Sequence, residues 1–124
     1  MKFLKVSFYI SNLILFIFYL YPGSIFGCFL YNDCNIQPQL TRNLIFFSSN
    51  HLYVFLIFSF LGILSFRKHL KEILYYLFSV SVFLELMHYI IPNRSFELAD
   101  LLGNAFGVIL SLILYKLFNL RRSK

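Results

Sequence analysis

Charge is what this sequence has least of: only 13% of its 124 residues are Asp, Glu, Lys or Arg, and only five are acidic. Soluble domains carry about 25% charged residues. Set against 60% hydrophobic residues, so small a polar complement cannot cover a water-facing surface, which excludes an ordinary soluble domain. The two cysteines form no Cys-x-x-Cys pair, and the chain has no Gly-rich phosphate loop and no nucleophile elbow. The sequence therefore carries no signature of a cofactor or of a bound metal. No repeat, low-complexity linker or change of composition marks a second domain. The length allows one domain, read as a single integral membrane domain over residues 1–124 with no room for a separate soluble catalytic unit.

What is present is apolar sequence in long runs. Four stretches, Phe3 to Tyr21, Leu44 to Phe66, Ile73 to Ile91 and Leu101 to Leu120, each suffice to cross about 30 Å of hydrocarbon, which takes roughly 17–25 helical residues. Pro22-Gly23 closes the first, Arg67-Lys68-His69 the second and Pro92 the third. Hydrocarbon supplies no hydrogen-bond partner for the backbone, so the runs are expected to be helices despite their β-favouring Phe, Ile, Val and Tyr. The predicted fold is an all-α membrane protein, a four-transmembrane-helix bundle.

The net charge of +6 predicts no nucleic-acid partner, since the basic residues flank apolar runs and form no basic face. They report orientation. Lys2, Lys5, Arg67, Lys68, Lys71, Lys116, Arg121, Arg122 and Lys124 fall on one side, against Arg42 and Arg94 on the other. Nine against two places both termini in the cytoplasm of a multi-pass protein of the cytoplasmic (inner) cell membrane. The tail Arg121-Arg122-Ser123-Lys124 then meets anionic headgroups. A competing reading takes Lys2, Lys5 and the first apolar run as a signal peptide, with Ile25-Phe26-Gly27-Cys28 as a lipoprotein-like box that Phe26 fits poorly. Cys28 and Cys34 share the outer loop, where an oxidising compartment would join them; two ordinary thiols is the other reading.

The remaining polar residues gather near the outer surface. Glu85 and His88 share one face of the third run, with Ser81 a turn earlier. Asp100, Asn104, Gly107 and Ser111 form a stripe on the fourth, and a short connector carrying Arg94 joins the two. With a rise of about 1.5 Å per residue, Glu85, Asn104 and His51 come to nearly one depth. An ionisable group at the centre of a membrane helix costs about 2.5–3.5 kcal/mol, so it normally faces a partner or water. Arg94 is expected to clamp Glu85 or Asp100, and Asn104 to add an amide bond. Gly107 and Ser111 are read as packing positions, and Asn12 as an interhelical bond.

Glu85-x-x-His88, Arg94, Asp100, Asn104 and Gly107 resemble, in order and spacing, the signature of VanZ-like membrane proteins: Glu-x-x-Gln, an Arg after a short Pro-containing turn, then Asp-x-x-x-Asn-x-x-Gly. His88 stands where that family usually has Gln. An upstream Asp-Lys-x-x-His element with a following aromatic is kept only in His51 and Phe55, with Phe47 and Ser48 in place of its Asp-Lys. The resemblance covers about residues 44–111. It implies a small polytopic bacterial envelope protein, related to one associated with antibiotic resistance, at low level, to the glycopeptide teicoplanin.

The expected ligand-binding set is Glu85, His88, Arg94, Asp100, Asn104 and His51. The favoured activity is non-enzymatic binding of an anionic lipid headgroup or lipid-linked cell-wall precursor at the outer leaflet. The alternative is a membrane-embedded hydrolase or transferase with Glu85 or His51 as base and Arg94 stabilising developing negative charge. A proton-coupled transporter and a scaffold with purely structural polar stripes complete the readings. The partners expected are the bilayer and such a lipid, with a homo-oligomer left open.

Overall fold

The computed structural model describes residues 1–122. Ser123 and Lys124, assigned above to the headgroup-contacting tail and, for Lys124, to the charge count, lie outside the described residues. The chain forms α1 (Lys2–Leu20), a short α2 (Ile25–Tyr31), α3 (Ser49–Ser65), a 3₁₀ turn (Arg67–His69), α4 (Leu70–Met87) and α5 (Leu98–Arg122). The described residues contain no strand. The aromatic and β-branched runs are helical, as expected where the backbone must satisfy itself.

Two helices, α1 and α5, are individually long and apolar enough to cross a membrane. α3 and α4 meet that standard only as a pair, bent by 95° at the Arg67–His69 turn. α3 begins five residues later than Leu44. Its entry is bound into local polar contacts instead: the Ser49 N–H donates to Asn43 Oδ1 at 3.2 Å, and the Ser48 N–H donates to the Ala99 carbonyl at 3.0 Å. α4 stops at Met87, four residues before Ile91, because Pro92 disfavours helix in the residue before it. The last turn tightens into bonds from His88, Tyr89 and Ile90 N–H to the carbonyls three residues back, each 3.1 Å.

Helix direction follows from the contacts. α1 runs antiparallel to α3, with Tyr19 beside His51, Phe8 stacked on Phe58 at 5.1 Å, and the Ser65 hydroxyl donating to Leu4 O at 2.9 Å. α4 runs parallel to α1, pairing Tyr76 with Phe8, Phe83 with Phe16 and His88 with Tyr19. Asn12 Nδ2 also donates to the Tyr76 hydroxyl between these two helices. The shared core draws Phe8 and Leu15 from α1, Phe55 and Ile63 from α3, Leu77 and Leu84 from α4, and Val108 from α5. Large apolar side chains cover the outside as well, among them Ile45 at 92% and Phe29 at 84% exposure. A surface so apolar suits lipid contact and would be an aggregation hazard in water.

The loop after α1 is partly helical. Ser24 caps α2 by accepting from the Gly27 N–H at 3.0 Å, and Asn32 ends it in the left-handed conformation (φ 52°). Gly27 is required there, since a Cβ would collide with the Ile36 carbonyl. A Cys28–Cys34 disulfide closes the segment.

α3 and α5 make the closest contact and run parallel, with Phe60 against Phe118 further along. A Cβ on Gly107 would stand 2.7 Å from Leu52 O and 2.9 Å from Leu56 N. Both are backbone atoms, so the helices would have to part. Gly107→Ala is expected to destabilise the protein by about 1–3 kcal/mol, the usual cost of overpacking. Ser111→Ala should lie near wild type, because the Ser111 hydroxyl donates only to Val108 O in its own helix at 2.7 Å. Thermal unfolding in detergent, followed by circular dichroism, separates the two.

Candidate functional site

Four helix ends meet at the pole opposite the Arg67–His69 turn: the last turns of α1 and α4 and the first turns of α3 and α5. Helix ends leave backbone groups without intrahelical partners, and here side chains from other helices take them. His88 Nε2 lies 3.0 Å from the Tyr19 carbonyl. The Arg94 guanidinium donates to Phe18 O at 2.9 Å and to Tyr21 O at 3.2 Å. Cations at the C-terminal carbonyls of α1 also complement its dipole.

This corrects the expected role of Arg94. Among the described residues it pairs directly with neither Glu85 nor Asp100; histidines are the side chains that approach both acids. The α1 carbonyls are nearer to the connector and need donors. Burial lowers the Arg94 pKa from its ordinary value, while Tyr19, Glu85 and Asp100 raise it. The guanidinium remains charged at neutral pH.

At the centre lies Asn104, fully buried. Its Nδ2 donates to the Ser81 carbonyl of α4 at 3.2 Å, which turns Oδ1 toward α1 and α3. There Oδ1 accepts from the Tyr19 hydroxyl at 2.8 Å and lies 3.0 Å from His51 Nδ1. The Tyr19 hydroxyl is also 3.0 Å from His51 Nδ1; an amide oxygen only accepts, so a hydrogen bond between His51 and Asn104 is made by the tautomer with its proton on Nδ1. Ser81 contributes its carbonyl, while its hydroxyl donates to Phe78 O at 2.7 Å.

Glu85, also fully buried, lies 3.2 Å from His88 Nδ1 through Oε1, which accepts as well from the Glu97 N–H at 3.1 Å. His88 Nε2 must donate to the Tyr19 carbonyl, so the contact between Nδ1 and Oε1 requires a second proton, shared by the pair. Glu85 Oε2 lies 4.0 Å from His51 Nδ1 and has no hydrogen-bond partner among the described residues. His51 Nε2 lies 3.4 Å from Asp100 Oδ2. Glu85, His88, His51, Asp100 and Asn104 therefore converge, with Arg94 on the rim. His51 and Glu85 sit nearer their helix ends than the apolar runs placed them, because α3 starts late and α4 ends early, whereas Asp100 and Asn104 sit further in, because α5 already starts at Leu98.

Two adjoining cavities open at this pole. One, about 440 Å³, is mainly apolar, with Phe18, Phe26, Leu30 and Val54 in its wall. The other, about 330 Å³, is polar and reaches Asp100, Glu97 and Asn35. Gln37, Asn50, His51 and Arg94 line both. The extended segment after the disulfide is strapped beside them: Asn50 accepts from the Leu40 N–H at 3.1 Å and donates to Pro38 O at 2.7 Å.

Tyr19 and Gln37 escaped the sequence reading. A tyrosine at the end of an aromatic-rich helix gives no signal of its own; only three-dimensional packing shows its hydroxyl holding Asn104 and its ring stacked on His88 at 5.8 Å.

Comparison with curated proteins and with solved structures gives no match. The VanZ/LLP1 family profile matches residues 2–119, so the similarity is wider than the motif block of residues 44–111 and takes in α1, whose Tyr19 completes the buried network. With nearly the whole length matched, this chain belongs to the VanZ/LLP1 family.

Proposed function

We propose that this protein binds an amphipathic lipid with an anionic headgroup, either a membrane phospholipid or a lipid-linked cell-wall precursor, at the outer leaflet of the bacterial cytoplasmic membrane. By holding such a lipid it would affect susceptibility to teicoplanin-type glycopeptides. The observation that carries this reading is the pair of contiguous cavities, one apolar and one polar, meeting at Arg94 and His51. A lipid divides in the same way. Pockets of about 300–1,000 Å³ lined mostly by apolar groups with a few placed polar ones are the usual form of small-molecule sites.

In this reading the chain crosses the membrane four times, α3 and α4 each spanning it, with both termini in the cytoplasm. The basic residues support that orientation: Lys5 lies over the Phe66 ring at 5.1 Å and the Arg67 guanidinium reaches Met1 Sδ at 3.4 Å, so the start of α1 and the α3–α4 turn share one end. An excess of Lys and Arg marks the cytoplasmic side. The cavities then face outward. Arg94 offers the anion its remaining N–H donors while two hold α1.

Arg94→Gln keeps an amide donor for the α1 carbonyls and removes the charge. A charge-assisted hydrogen bond contributes about 1.5–3 kcal/mol, so the variant should retain phosphatidylglycerol or a polyprenyl phosphate roughly 10–100-fold less well in native mass spectra. Equal retention by wild type and variant would refute anion capture by Arg94, and preference for one of the two lipids identifies the source. For topology, single cysteines are placed at Thr41 and His69 in a Cys28→Ser, Cys34→Ser background. An impermeant maleimide should label position 41 in intact cells and position 69 only after lysis; the reverse pattern would invert the orientation.

A further inference from the structure

His51, Glu85 and Asp100 lie on three different helices, yet each presents a ligand atom within 4.8 Å of the other two. Their surroundings are specific. The Asn104 amide oxygen, oriented by the Ser81 carbonyl, lies 3.0 Å from His51 Nδ1 and suits the tautomer protonated there, which leaves the Nε2 lone pair on the side of Asp100 Oδ2, 3.4 Å away. Two lone pairs facing each other at that distance repel unless a proton or a metal ion lies between them. The buried Glu85 Oε2 is the second sign, a carboxylate oxygen with no exposure and no hydrogen-bond partner among the described residues, directed at the same imidazole. The contact with His88 is made by the other oxygen, Oε1. Two acids thus flank one imidazole, Asp100 at its Nε2 edge and Glu85 Oε2 4.0 Å from Nδ1, with ligand atoms of all three within 4.8 Å of one another.

We propose that His51 Nε2, Asp100 Oδ2 and Glu85 Oε2 bind a divalent transition-metal ion of the Zn²⁺ type. Imidazole with carboxylates suits Zn²⁺ and its neighbours, whereas Ca²⁺ and Mg²⁺ favour all-oxygen sets. A tetrahedral ion with arms of about 2.1 Å holds its ligand atoms about 3.4 Å apart, so the Glu85 carboxylate has about an ångström to travel on binding. The His51–Asp100 pair already has that separation. Asn104 serves as the outer partner that metal-bound histidines characteristically have. Three protein ligands leave a fourth position open, and His51 and Asp100 both line the polar cavity, so that position faces the space assigned above to the headgroup. Metal binding itself does not depend on that assignment.

The test uses full-length protein in detergent, stripped with a chelator and dialysed, with Zn²⁺ or Co²⁺ as the only addition and no lipid. Expected is one ion per chain by titration calorimetry and elemental analysis, with a Co²⁺ visible spectrum of four- or five-coordinate intensity. Asp100→Asn, which keeps the side-chain shape, should weaken uptake about 100-fold, at or beyond the range seen when outer partners of metal ligands are lost. His69→Asn, at the opposite pole, should change nothing. Absence of uptake by the wild-type protein overturns the site, as does uptake lost with His69→Asn or unaffected by Asp100→Asn. Should Asp100→Asn fail to fold by circular dichroism, Asn104→Ala and the wild-type Co²⁺ spectrum decide: an octahedral all-oxygen spectrum, or affinity unchanged in Asn104→Ala, refutes the assignment. Lipid retention in chelator-treated protein is scored separately, so failure of one reading leaves the other standing.

Discussion

Burying the Glu85 carboxylate where water cannot reach is the constraint around which the rest of the pole opposite the Arg67–His69 turn is arranged. An acid in hydrocarbon costs several kcal/mol unless partners surround it, and the chain supplies them from every side. His88 comes from the end of the same helix and the Glu97 N–H from the connector, with His51 facing from α3. Each partner is itself held. His88 is fixed by the Tyr19 carbonyl, and His51 by Asn104, which in turn rests on Ser81. One buried charge thereby ties α1, α3, α4 and α5 to a common register.

That arrangement depends on close helix packing, in which small residues matter more than large ones. In lipid, association rests on van der Waals contact and interhelical polar bonds, and interfaces are enriched in small residues. Gly107 lets the α5 backbone lie against Leu52 and Leu56 of α3, which brings Asn104, three residues earlier, within reach of His51. Arg94 belongs to the same economy of helix ends. It docks the final carbonyls of α1, so its charge is delivered to the cavity rim and not neutralised by an acid.

The segment between α1 and α3 completes the pocket by means that differ from those of the helices. Its ends are bound by the Cys28–Cys34 disulfide and the capped α2, and its extended part is bound to Asn50 and, through the Ser49 hydroxyl, to the Thr41 carbonyl at 2.9 Å. Apolar residues of α1, α2 and α3 then form one wall of the cavity while the connector and α5 form the polar one. The two chemistries meet because the chain places a lipid-like helix end beside a polar connector.

The sequence by itself determined that the chain is helical and built for lipid, because apolar runs of this length admit no other backbone in hydrocarbon. It also determined which polar residues stand out, because Glu85, His88, Asp100 and Asn104 are too costly in apolar helices to be incidental, and their spacing carries the family signature. Helix ends were less legible: Pro92 marked the end of α4, but the turn preceding it and the polar capture of residues 44–48 depend on contacts with other segments. Only the tertiary structure decided the partners. Arg94 reaches α1 carbonyls instead of an acid, Tyr19 joins the network, and His51 faces Asp100 across 48 intervening positions. The physical reason is that a one-dimensional pattern records which groups must be satisfied, whereas the choice among competing donors and acceptors is made by distance once the helices have packed.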